Sequence, residues 1–167
     1  MSMNELQRAA ENLSIGAPQA ERLAVAYETL EVVESVIQEL SFLVRSEPPP
    51  DWEALRENCG RARIALLRTR TIRLPLASPP PTVAFSVDEV PVALEALMEL
   101  TGTLVVMFME VANFADFVMD EPCCLEAALR INDLRRALLP LQDSTVGNSD
   151  EQRANQLSSS DDDMHQQ

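Results

Sequence analysis

Apolar residues recur at steps of three and four along most of this chain, and proline, glycine and serine punctuate the runs. That period belongs to helices that bury one face. The longest run, Glu89 to Met119, is apolar over most of a helical circumference: Leu94, Leu97, Met98, Leu104, Val105, Phe108, Val111, Phe114 and Phe117. Its polar residues Glu95, Glu99, Thr103, Glu110, Asn113, Asp116 and Asp120 fall within one arc of roughly 140° at about 100° per residue. Such a helix needs neighbours on several sides. The pattern therefore predicts an all-α protein, a four- to five-helix bundle with this helix at its centre. A membrane span needs about 20 mostly apolar residues. Within this run the longest uncharged stretch is only Leu100 to Met109, so a buried helix of a soluble protein is expected.

The remaining elements follow in chain order. Met3 to Leu13 predicts a short helix with Leu6, Ala9, Ala10 and Leu13 on one face, closed by Gly16 and Pro18. A second helix is expected from about Pro18 to Val44, with Leu23, Tyr27, Leu30, Val33, Ile37, Leu40 and Val44 as its seam. Pro48, Pro49 and Pro50 stop it, and Asp51 suits the N-cap of a third helix from Trp52 to about Arg70. Trp52, Leu55, Cys59, Ala62 and Leu66 form the inner face of that helix. Gly60 costs it about 1 kcal/mol unless another helix approaches closely there. Thr71 to Ser86 holds four prolines and reads as a proline-rich extended crossing, with polyproline II expected at Pro79-Pro80-Pro81.

Two caps compete at the start of the central helix. Ser86 with Glu89 forms a capping-box pattern, whereas Asp88 as N-cap places Pro91 harmlessly in the first turn; Asp88 is the expected cap. Asp120-Glu121-Pro122 ends the helix and opens a fifth, from about Cys123 to Leu139, using Leu125, Leu129, Ile131, Leu134 and Leu138. From Gln142 apolar residues nearly vanish. The expected organisation is a helical domain over residues 1–141 and a disordered acidic tail over 142–167. In that tail Ser158, Ser159 and Ser160 precede Asp161, Asp162 and Asp163, a substrate pattern for an acidophilic kinase.

Charge narrows the functional classes. The formal net charge is −14, which opposes general affinity for nucleic-acid phosphate or anionic lipid and favours a basic partner. All 13 basic residues are Arg, which reads as a compositional bias. Three cysteines, Cys59, Cys123 and Cys124, make no disulfide framework and fit a reducing compartment. No apolar signal core stands near Met1, so an intracellular protein, cytoplasmic or nuclear, is expected.

One local anomaly stands out. Arg61, Arg63, Arg68, Arg70 and Arg73 lie in a stretch with no acid. Arginine presents a fork of donors to oxyanions, so the strip is the candidate partner-binding site. Its structural alternative is pairing with acids of other helices: residues 74–120 hold seven acids and no base.

Catalytic chemistry finds no support. The single histidine, His165, stands in the tail, away from any Ser or Cys nucleophile of the helices. There is no Cys-x-x-Cys, no phosphate-binding glycine loop and no Glu-x-x-His pair. No cofactor, metal or small-molecule substrate is expected. The first functional expectation is a non-enzymatic interaction or assembly subunit that binds a protein partner or itself. The order helix pair, proline-rich crossing, helix pair and loose tail, over about residues 18–140, is also loosely similar to rod-shaped plant virus coat proteins. That family's phenylalanine-rich and terminal motifs are not evident here. The likeness implies a coat-type subunit with Arg61 to Arg73 on RNA phosphate. A third expectation is an acidic chaperone for a basic or apolar client.

Overall fold

The computed structural model describes residues 18–73 and 81–143, the backbone of 144–158, and, ahead of these, Leu6, Ala9 and Glu11. The expected helix at Met3–Leu13 lies mostly outside the described residues. Within it Leu6, Ala9 and Glu11 are helical, and Leu6 is buried in the core.

Among the described residues four α-helices have full bounds and carry the fold: α1 (Gln19–Leu43), α2 (Trp52–Leu67), α3 (Val90–Asn113) and α4 (Asp120–Ser158). No strand occurs among the described residues. The helices form a ring in which α1 packs on α2, α2 on α4, α4 on α3 and α3 on α1. Polar contacts fix the directions. Gln19 at the start of α1 donates to the Phe114 carbonyl just after α3, and Arg22 pairs with Glu110 at 2.7 Å. Arg68 after α2 pairs with Glu126 in the first turns of α4 at 3.2 Å. Each helix therefore runs antiparallel to both neighbours, and the diagonal pairs are parallel.

The ring closes on leucine. Leu23, Leu30, Leu40, Leu55, Leu66, Leu94, Leu97, Leu104, Ile131 and Phe108 are all fully buried. With buried Ala26, Val33 and Ile37 on α1, Cys59 and Ala62 on α2, Thr101 on α3 and Leu134 and Leu138 on α4, these positions recur at three and four within each helix, which is why the helices persist where propensity alone would be marginal. Asp51 caps α2 as expected, its carboxylate accepting the Ala54 N–H at 2.9 Å. Val87–Asn113 is long and apolar enough to cross a membrane by composition; half of that window is buried against the other helices.

The start of α3 departs from expectation. Ser86, not Asp88, is the capping residue, and the Glu89 carboxylate accepts from the Ser86 N–H and hydroxyl at 2.8 and 3.1 Å. A 3-10 turn at Val87–Glu89 then precedes the α-helix, so Pro91 still falls in a first turn, where its missing N–H costs nothing. The box and the proline are compatible because a tighter turn separates them. Glycine placement also differs. A Cβ on Gly60 would meet nothing within 4 Å, so no helix crosses closely there. The close approach is at Gly102, where a Cβ would stand 3.2 Å from Arg135 Nη2.

Further corrections concern helix ends, the turn after α3 and α4. α2 ends at Leu67 and α3 at Asn113, short of Arg70 and Met119. Phe114 and Phe117 are exposed in the turn between α3 and α4 and do not line the core, while Asp120 is buried. On α4, Leu125 and Leu129 face out; the inward positions are Cys123, Cys124, Ala127, Ala128, Ile131, Leu134, Leu138 and Leu141. Small residues on this face let α4 lie close to α3. The backbone stays helical through Pro140 to Ser158, so the disorder expected from Gln142 does not begin there. Glu151, Gln152, Arg153, Ala154 and Gln156 are good helix formers and sustain a helix by local propensity. The serine-aspartate run from Ser159 lies outside the described residues, as do Pro79 and Pro80 of the crossing.

Candidate interaction surface

The five arginines of the strip have different fates. Arg63 is committed to α1. Its guanidinium donates to Glu34 at 2.7 Å, to Glu31 at 3.0 Å and to the Tyr27 hydroxyl at 3.2 Å, and lies 4.9 Å from the Tyr27 ring centroid. Partial burial opposes its charge, but the Tyr27 hydrogen bond and the two carboxylates outweigh that and hold it above the ordinary arginine value. Arg68 holds α4 through Glu126, and Arg61 pairs with Glu57 one turn back on α2. Arg70 and Arg73 are exposed and have no side-chain partner among the described residues.

Arg70 is nevertheless placed exactly by its backbone chemistry, through Asp120. The buried Asp120 carboxylate accepts the Arg70 N–H at 2.7 Å, the Thr71 N–H at 3.1 Å and the Thr71 hydroxyl. Three donors satisfy a carboxylate that would otherwise be costly to bury. This latch joins the turn after α2 to the N-terminus of α4. It sets Arg70 beside the α3–α4 turn.

That turn is the most exposed apolar part of the described chain. Phe114 is 74% and Val118 86% exposed, and Phe117 and Met119 are exposed as well. The same character continues onto the flanking helices through Val106 and Met109 of α3 and Leu125 and Leu129 of α4. Sequence reasoning missed this surface because Phe114 and Phe117 continue the apolar period of α3. The one signal was Asp120-Glu121-Pro122, whose N-cap residue marks where the next helix starts.

The buried thiols offer little chemistry. Burial pushes Cys59 up to about 12, with Glu34 adding to the shift, and its thiol donates to the Leu30 carbonyl at 3.1 Å. Burial and then Asp120 push Cys124 up to about 12. Both stay protonated and unreactive near neutral pH. Among the described residues no three His, Cys, Asp or Glu side chains are grouped so as to hold a metal ion. No protein-family model, curated protein or solved structure matches the chain.

Proposed function

We propose that this chain is a non-enzymatic, intracellular interaction or assembly subunit whose product is a surface. The reading takes residues 1–141 as one helical bundle with a proline-rich crossing, and 142–167 as an acidic extension. The observation that carries it is the concentration of exposed Phe114, Phe117, Val118 and Met119 in one turn, beside the free side chain of Arg70. Large apolar side chains grouped on a surface mark contact sites in soluble proteins. Aromatic, methionine and arginine side chains are also the types enriched at protein interfaces. α3 is read as a core helix because Leu97, Leu104 and Phe108 are fully enclosed by the other helices.

The coat-type reading is weaker on this geometry. Arg61, Arg63 and Arg68 already face carboxylates, so the strip offers RNA only Arg70 and Arg73. The acidic-chaperone reading differs in leaving the free protein monomeric. Size-exclusion chromatography with light scattering, with and without RNA, tests the assignment. We expect a discrete species whose mass RNA does not change. An RNA-dependent rod would overturn the reading in favour of the coat-type subunit, and a monomer that holds only unfolded basic or apolar clients, without a defined complex, would favour the chaperone.

A further inference from the structure

The α3–α4 hairpin carries a larger exposed apolar face than the other hairpin, where Ile64 and Leu67 on α2 and Phe42 on α1 are the exposed large apolar residues. The Arg135 guanidinium lies over Gly102, which fixes how α3 and α4 stand against each other. Met109 is two turns beyond Gly102 on the same side of α3, and Val106 lies one turn before Met109. In the antiparallel register set by Gly102 and Arg135, Met109 comes level with Leu129, and Val106 and Leu125 lie within about a turn of that pair on α3 and α4. All four are at least two-fifths exposed, and the turn bearing Phe114 and Val118 extends the face to the end of the hairpin.

Charge decides what fits this face. From Leu74 to Leu129 the chain holds nine acids and no base; Arg130, Arg135 and Arg136 follow further along α4, so the hairpin stays net acidic. Glu110 and Glu126 are paired with Arg22 and Arg68, while Asp116, Glu121, Glu95 and Glu99 are exposed. We propose that this face docks a basic amphipathic helix of another protein, its apolar ridge on Val106, Met109, Leu125 and Leu129 and its cations on the acidic rim. The proposal rests on the interaction-subunit reading and names the chemistry of the partner.

Other occupants fit less well. A second copy presenting the same face would set acid against acid, a like-charge juxtaposition that disfavours pairing. The chain's own C-terminal residues from Asp143 bring further acids, with Arg153 and His165 their only basic residues. Pro81, where the described chain resumes before α3, has its carbonyl accepting from Ser35 on α1, the helix diagonal to α4. An apolar ridge laid between two helices is an established mode of peptide recognition.

The test is fluorescence anisotropy on the full chain with two labelled amphipathic peptides of about five turns. One is built of Leu and Lys, the other of Leu and Glu in the same pattern. The Leu/Lys peptide should bind saturably at about 0.15 M salt, and the Leu/Glu peptide should not. Met109→Ser with Leu129→Ser should weaken binding at least tenfold with the melting temperature unchanged. Phe42→Ser, at the far end of α1, should leave binding as it is. Absence of Leu/Lys binding overturns the proposal, as does equal binding to the double variant. A dimer that the same double variant dissociates overturns it in favour of self-association. These failures differ from failure of the subunit reading itself, which would show as an RNA-dependent rod or as uptake of unfolded clients only, whatever the peptides do.

Discussion

The two helical hairpins solve the same packing problem with opposite surfaces. In α1–α2 the charges face each other across the pair: Arg63 spans Glu31, Glu34 and Tyr27, and Cys59 donates to the α1 backbone. In α3–α4 the core is as tight, but the outside carries Val106, Met109, Leu125 and Leu129, with Phe114 to Met119 at the turn. A cluster of like charge in a sequence is therefore not by itself a binding surface. Most of the arginine strip is engaged within the fold, while the larger exposed apolar area belongs to the other hairpin, whose helix α3 holds no cation at all.

The largest expected effect tests the shared core. Phe108→Asp places an unpaired charge at a fully buried position. It should cost more than about 4 kcal/mol and abolish the cooperative thermal transition. An unchanged melting temperature would mean that the inward face of α3 is misassigned. Asp120→Asn probes the latch between the hairpins. It keeps the shape of the side chain but removes the charge that accepts from Arg70 and Thr71. A loss of about 2–3 kcal/mol in urea unfolding is expected; a loss below about 0.5 kcal/mol would show that the turn after α2 is held by other contacts.

How far the sequence could be read follows from what marks each boundary. α1 and α2 are legible to within a few residues because Pro18, Pro48 to Pro50 and Asp51 act locally. The turn after Asn113 has no proline or glycine, and Phe114 and Phe117 stay in phase with α3. Only tertiary contacts end that helix: the Phe114 carbonyl takes the Gln19 amide, and Asp120 is drawn to Thr71. In the first turns of α4, Leu125 and Leu129 mislead for a different reason. The buried positions are Cys124, Ala127 and Ala128, since close helix approach rewards small residues over large ones. The arginine strip was visible in sequence, but which carboxylates it met depended on which helices became neighbours.

The comparison sharpens with two charge-removing variants, one single and one double. Arg63→Gln leaves Glu31 and Glu34 unpaired in a half-buried site and should cost about 1–2 kcal/mol. Arg70→Gln with Arg73→Gln should stay within about 0.5 kcal/mol, because neither side chain is engaged among the described residues. Chemical denaturation of the two variants side by side checks the contrast, and equal losses would erase it.

A smaller effect is expected at alkaline pH. The Cys59 thiol sits near 12 in the folded chain against an ordinary 9.0. A raised pKa gives stability that is complete below pH 9 and is lost as pH rises towards 12, because the unfolded chain ionises first. The melting temperature should therefore fall above pH 9, and Cys59→Ala should fall less steeply over the same range. Parallel curves would place the alkaline sensitivity in other groups.

The central claim is that the α3–α4 face is open in the free protein. α3 contains its own control, since Met107 is 2% exposed and Met109 51%. Peroxide oxidation followed by mass spectrometry reads both at once, because sulfoxide formation follows solvent access. Met109 and Met119 should oxidise well ahead of Met107 and Met98, with the melting temperature little changed in the early phase. Protection of Met109 equal to that of Met107 would contradict the account, for the face would then be covered before any partner arrives.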